Sequence, residues 1–300
     1  MNAMTTLFSA LSLAAPKTSP SIHHTSCRHA VKFRCTPPHT TPLFQESVCC
    51  CSIGAYSIPH PNKVEKGGED AFFIHNQTVF AVADGVSGWA EQNVDPSIFS
   101  RQLISNISAL VEDEEVADDP LMLMRRAHEA TSSIGSATLI IGVLKADGLL
   151  KVASVGDCGL RVVRRKKVVF STTSLEHFFD CPFQLSSEVS GQTYLDAVVT
   201  HVQLQRGDKV VMGSDGLFDN VFDDEIVATV SNHGDAVEAA EALATLASIH
   251  STDTVFDSPY ALEARTKGLD VSWWKKTVGI KLSGGKMDDI TVIVRYVQNL

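Results

Sequence analysis

Acidic residues in this chain recur where apolar runs begin or end. Glu69-Asp70 immediately precedes AFFI, Asp84-Gly85 closes FAVA, Asp157 closes VASVG, Asp215-Gly216 closes VVMGS and Asp288-Asp289 immediately precedes ITVIV. Any one of these reads equally as a turn, since Asp-Gly is a common turn dipeptide. The repetition of the same placement argues for a common purpose. Converging strand ends would gather the carboxylates in one place, where they could not stay ionised without cations. Hard oxygen donors select Mg²⁺ or Mn²⁺ over zinc, and a backbone carbonyl can complete the shell beside a Gly. Two such ions suit hydrolysis of a phosphoester by activated water, with no covalent enzyme intermediate. The lack of a Walker loop or a kinase Gly-rich loop argues against phosphoryl transfer from ATP.

The elements that must position these acids can be read from periodicity. SVCCCSIGAYSIPH reads as a first strand with a turn at Pro59–Asn62, followed by short strands in AFFI and TVFAVA. PSIFSRQLISNISALVEDEE carries Ile98, Leu103, Ile107 and Leu110 at helical spacing, and PLMLMRRAHEATSS is a second helix. Hairpins are expected around Ala146-Asp147-Gly148 and around the basic run in LRVVRRKKVVFST. DKVVMGSDG is a further strand, DAVEAAEALATLASIHS and SPYALEARTKG are helices, and DDITVIVRYVQ is a terminal strand. Hairpin-joined strands with helices in separate runs predict an α+β fold of antiparallel sheet and helical layers.

The first 45 of the 300 residues contain no Asp or Glu, but 12 Ser or Thr, five Pro and four basic residues, Lys17, Arg28, Lys32 and Arg34. That is the composition of an organelle transit peptide, and the low Arg content leans towards plastid. The expected organisation is therefore a chloroplast transit peptide over 1–45 and one catalytic domain over 46–300. Without the leader, 21 basic residues face 35 acids, a formal charge of −14. That balance argues against nucleic acid as a partner and weakens a nuclease or phosphodiesterase reading. No apolar run approaches bilayer length. Five of seven Cys lie in the first 51 residues, leaving Cys158 and Cys181 deeper in the chain, so neither a disulfide framework nor a zinc site is indicated. His75, His128, His177 and His201 have no motif around them and read as structural or surface residues.

In order, GGEDAFF, FAVADGVSGW, GSAT, SVGDCGLRV, GSDGLFDN and GGKMDDITVIV resemble the motif series of the protein phosphatase 2C family, over about residues 48 to 300. The resemblance implies a metal-dependent serine/threonine phosphatase built as an α-β-β-α sandwich of two antiparallel sheets flanked by helices. It implies that Asp84 bridges two Mg²⁺ or Mn²⁺ ions, that the Gly85 carbonyl binds one of them, and that Asp215 and Asp288 bind the other. Glu69 and Asp70 would hold metal-bound waters, Asp157 and Asp219 match a weaker third metal position, and Asp289 would support the site. Gly135-Ser136 would form a core turn nearby. DGVSGWAEQNVDPSIFS is similar to the subgroup working in mitochondria and plastids. With the leader, this implies a chloroplast stromal enzyme acting on phosphorylated thylakoid proteins of photosystem II, with peripheral contact to the membrane. Two departures matter. Val86 stands where many members have a His proposed as general acid. Glu65 stands where many have an Arg that grips the phosphate; Lys66 is the candidate substitute, although Lys63 and Lys66 read more simply as solvated loop residues. These departures motivate the alternative of a catalytically impaired binding protein on the same fold.

Overall fold

The computed structural model describes residues 29–31, 52–269 and 282–298. The CCC run, and the acid-free leader apart from residues 29–31, lie outside the described residues. Strands and helices are numbered in chain order. One sheet runs, in spatial order, β1 (His29–Val31), β2 (Ile53–Ile58), β14 (Ile290–Tyr296), β13 (Lys209–Gly213), β7 (Gly159–Arg164) and β8 (Lys167–Ser171). The other runs β12 (Val198–Gln203), β6 (Leu149–Val155), β5 (Ser136–Leu144), β4 (Val79–Gly85) and β3 (Ala71–His75), with β11 (Leu185–Ser186) beside β5. The named strands pair antiparallel throughout.

Helices α1 (Pro96–Leu110) and α3 (Pro120–Ala130) cover the second sheet, and the short α2 (Glu114–Ala117) links them. The single long helix expected through Glu115 therefore stops earlier, at Leu110. Helices α5 (Asp223–Asn232) and α6 (Ala236–Thr252) cover the first sheet, with α4 (Asp215–Phe218) and α7 (Pro259–Thr266) nearer the strand ends. Three cores separate the four layers. Phe99, Leu103, Ile107 and Leu123 pack on Ala81, Leu139 and Ile141. Phe80, Ile140, Leu160, Met212 and Ile293 fill the space between the sheets. Leu243 and the small Ala239, Ala240, Ala244 and Ala247 of α6 lie on Val211, Val292 and Val294. This is the sandwich the motif series implied.

Strand periodicity explains where the acids go. Side chains alternate faces with a period of two. Phe80 and Val82 of β4 enter the inter-sheet core, so Asp84 continues that face. Phe72 and Met212 do the same for Asp70 and Ser214, and Ile293 does so for Thr291 and Asp289. At one end, then, the apolar inter-sheet layer gives way to carboxylates and hydroxyls. Because both faces of these strands are covered, each reads as a continuous apolar run up to its acid.

Candidate active site

The register that pairs Ala71 with Ala83 brings Asp70, just before β3, alongside Asp84, near the end of β4. From the other sheet, β13 pairs Gly213 with Val292 of β14 and with Gly159 of β7. The connections that follow or precede these residues carry Asp215, Asp157 and Asp288 to the same end. Asp215 and Asp219 lie four residues apart across α4, which places them on one helical face. Ser214 ties the sheets together: its Oγ donates to Asp70 Oδ2 at 2.8 Å and accepts from Thr291 N at 3.0 Å.

Burial raises the carboxyls of Asp84, Asp70 and Asp157 well above the usual carboxylate range, and neighbouring acids push them further. For Asp84 those neighbours are Asp70, Asp215, Asp288 and Asp157, so the expected residues share one electrostatic site. Asp219 and Asp288 are each pushed up to about 7, again by burial first and then by Asp215. Asp70 Oδ1, Asp157 Oδ1 and Asp215 Oδ1 are buried with no hydrogen-bond partner. Unpaired buried carboxylate oxygens are costly, and a hard divalent cation is the partner their chemistry fits. Among the described residues, no three His, Cys, Asp or Glu side chains close into a finished cage. A cleft of about 230 Å³ opens beside the cluster, lined in part by Asp157, Asp180, Asp215, Asp219 and Lys286.

The chain is 58% identical over 266 residues to "Probable protein phosphatase 2C 26" of Arabidopsis thaliana, covering 88% of this chain and 89% of that one. It is 59% identical over 249 residues to "Probable protein phosphatase 2C 1" of Oryza sativa subsp. japonica, covering 82% and 75%. The chain belongs to the protein phosphatase 2C family. It is thus a protein serine/threonine phosphatase. No family model matches it. The X-ray structure of the photosystem II phosphatase PBCP superposes with a TM-score of 0.80 at 59% identity, covering 83% of this chain and 99% of that one. The catalytic domain of the serine/threonine phosphatase PstP, in complex with two manganese ions, shares the fold at 20% identity, with a TM-score of 0.56 and coverage of 82% and 98%.

Several features of this phosphatase escaped the sequence reading. Asp289, 1% exposed, accepts from His60 N at 2.7 Å and from Glu69 N at 2.8 Å, one bond to each carboxylate oxygen. It thereby closes both ends of the 60–69 loop. On the far side, Arg101 of α1 donates to the carbonyls of Lys66 and Gly68, at 2.7 and 2.9 Å. The loop so fixed carries Lys63 inward, whereas the Lys66 side chain is 68% exposed and, among the described residues, pairs with Asp95 at 3.5 Å. Lys63 Nζ donates to Glu69 Oε2 at 2.6 Å and to Ser87 Oγ at 2.9 Å, and stands 3.5 Å from Asp289 Oδ2. Burial opposes its charge, but Glu69, Asp289 and Asp288 outweigh burial and hold the ammonium well above the usual lysine range. The expectation that both lysines are solvated thus fails for Lys63, and Lys66 is not the cation nearest the acids.

Gly85 and the expected core turn are explained by close packing. A Cβ on Gly85 would stand 2.7 Å from the Pro96 carbonyl oxygen. Trp89 Nε1 donates to Ser136 Oγ at 2.6 Å, so the Gly135-Ser136 turn anchors the helical turn Ser87–Gln92 that follows Val86. Gly68 has φ +78°, and a Cβ there would stand 2.6 Å from Asp289 Oδ1. Gly68→Ala combines left-handed strain, about 1–2 kcal/mol, with displacement of the clamp. It should lower stability by about 2 kcal/mol or more in urea unfolding, and wild-type stability would refute the clamp.

Proposed function

We propose that this phosphatase hydrolyses phosphoserine and phosphothreonine on photosystem II core proteins in the chloroplast stroma, using two Mg²⁺ or Mn²⁺ ions. The observation that supports this substrate class is the 59% identity to the photosystem II phosphatase PBCP across 99% of that chain. Asp84, the Gly85 carbonyl, Asp215 and Asp288 would hold the two ions, with Glu69 and Asp70 acting through water. Asp157 and Asp219 remain as donors at an outer position. Bound there, divalent ions would supply water activation and neutralise charge on the phosphoryl group.

The chain's own residues do the rest. Lys63 faces the acids from the clamped loop, so its ammonium is placed to hold a phosphate oxygen and orient the ester. Glu69 and Ser87 fix the position of that ammonium. A serine alkoxide needs a proton as it leaves, and Val86 has none to give; that proton must come from solvent or another group. The unpaired oxygens of Asp70, Asp157 and Asp215 count against an impaired binding protein, because an unused buried cluster would only destabilise the fold.

The acid-free segment 1–45 supports a chloroplast transit peptide ahead of the catalytic domain 46–300. A reporter carrying residues 1–60 should enter plastids; a cytosolic reporter would overturn that placement. Among the described residues no helix is long and apolar enough to cross a membrane, so contact with the thylakoid would be peripheral. The deciding experiment is incubation of isolated, phosphorylated thylakoids with the purified protein, with each phosphoprotein followed separately. Loss of phosphate from photosystem II core proteins is expected. Dephosphorylation confined to other proteins would refute the substrate assignment.

A further inference from the structure

Lys286 was not among the residues that the motif series marked for a role, yet it stands at the centre of the outer carboxylates. Its Nζ lies 2.6 Å from Asp215 Oδ2, 2.9 Å from Asp180 Oδ1 and 3.0 Å from Asp219 Oδ2. An ammonium has three N–H donors, and here three carboxylates accept them. Asp288 Oδ2 follows at 3.8 Å. This is a compact cation fully surrounded by the donors that a divalent ion at that position would need.

The placement is built into the fold. Asn220, 0% exposed, holds the Lys286 peptide on both sides. Its Oδ1 accepts from Lys286 N at 2.9 Å, and its Nδ2 donates to the Lys286 carbonyl at 2.8 Å and to the Gly216 carbonyl at 2.9 Å. Just upstream, the Gly284 carbonyl accepts from the buried Ser258 Oγ at 2.6 Å. The side chain then passes the Tyr260 ring, with Nζ 5.4 Å from its centroid. Asp180 comes from the tip between two short paired strands, β9 (Glu176–Phe178) and β10 (Cys181–Pro182), and has φ +60°. Tyr260 Oη donates to Asp180 Oδ2 at 3.3 Å, so Asp180 is held from two sides. Asp157 Oδ1 and Asp215 Oδ1 are left without a partner on this side of the cluster.

We propose that the ε-ammonium of Lys286 is a resident cation at the outer position, so that the site holds two divalent ions and one lysine in place of a third metal. The inference rests on the dinuclear reading above. A divalent ion between Asp157 and Asp219 would meet the ammonium already bonded to Asp219, and at such distances like charges repel strongly. One carboxylate oxygen cannot serve both cations at full strength; Asp215 gives Oδ2 to Lys286 and keeps its buried, unpartnered Oδ1 for an inner ion.

Metal counting tests this without any turnover. Metal-stripped full-length protein is titrated with Mn²⁺, and free Mn²⁺ is read by electron paramagnetic resonance. Wild type should saturate at two ions, and Asp219→Asn should leave that count unchanged. Lys286→Met, which keeps the stem and removes the charge, should take up a third ion at least about tenfold more tightly than any third ion in wild type. A third ion in wild type that Asp219→Asn removes would overturn the proposal while leaving the dinuclear reading intact. So would a folded Lys286→Met with an unchanged count. Wild type that binds no Mn²⁺ would overturn both. Should Lys286→Met fail to fold, wild type and Asp219→Asn still decide.

Discussion

Asp84→Asn is expected to lower kcat/KM by at least about 10³ and, at the same time, to raise the melting temperature of the metal-stripped protein. The two effects have one origin. Burial raises the Asp84 carboxyl far above its usual range, and Asp70, Asp215, Asp288 and Asp157 raise it further. A carboxyl raised on folding favours the folded state only while protonated. Its contribution is lost as pH rises above the ordinary carboxylate range, so at neutral pH its ionisation opposes folding. Asn keeps the shape and removes the charge, which relieves that opposition when no cation is present. The same substitution removes a central donor from the proposed cation site. Charge stabilisation by such ions is worth several kcal/mol in the transition state, and each 1.36 kcal/mol is about tenfold in rate. Thermal unfolding with and without Mn²⁺ separates the two effects. The variant should melt higher than wild type in chelator and gain less from Mn²⁺. A variant that melts lower in chelator would show that Asp84 is held by partners the structure does not contain. Near-normal turnover would remove Asp84 from the site altogether.

How much of this was legible in the chain follows from what kind of signal each residue leaves. Asp84, Asp70, Asp157, Asp215 and Asp288 announce themselves because an acid abutting a buried apolar run has a cost that needs explaining. The inter-sheet parity that unites them is also a sequence property: Phe80, Val82 and Asp84 are spaced by two, as are Met212 and Ser214. Asp219 follows Asp215 at helical spacing. Lys63 and Lys286 leave no such signal. A lysine beside glycines looks like any solvated loop residue. What draws Lys63 inward is Asp289, which bonds the backbone of residues 60 and 69, a closure between segments some 220 residues apart. What fixes Lys286 is a side-chain amide, Asn220, contacting a peptide 66 residues away. Such contacts depend on the completed fold and have no period. The segment after β8 was unread for a related reason. β9, β10 and β11 are two or three residues long, too short to show alternation. β12 does alternate, as VVTHVQ, with exposure switching residue by residue; that signal was present and was missed. So was DDEIVATVSN, whose three acids in the first turn mark the start of α5.

Lys63→Met should lower kcat/KM on a phosphoserine peptide by about tenfold to a hundredfold, the range expected for loss of one hydrogen bond to a charged group. The structural case rests on position. The ammonium is fixed by Glu69 and Ser87 at the edge of the acid cluster, on a loop that Asp289 and Arg101 hold from opposite sides. A purely structural role is the competing explanation, because Lys63 is the counter-ion of Glu69 and Asp289 among the described residues. The two roles diverge in what else changes. If Lys63 holds the phosphate, KM and the inhibition constant for inorganic phosphate should both rise, since free phosphate offers the same oxygens as the ester. Lys63→Arg should recover part of the loss, because charge survives while the rigid guanidinium fork replaces a point donor. Lys66→Met should change neither constant, its ammonium being exposed and paired with Asp95. If Lys63 is structural, Lys63→Met should melt earlier while the protein that remains folded binds phosphate as wild type does. Unchanged phosphate inhibition in the Met variant would therefore rule out the phosphate contact, and a loss in Lys66→Met instead would return that role to the neighbouring lysine.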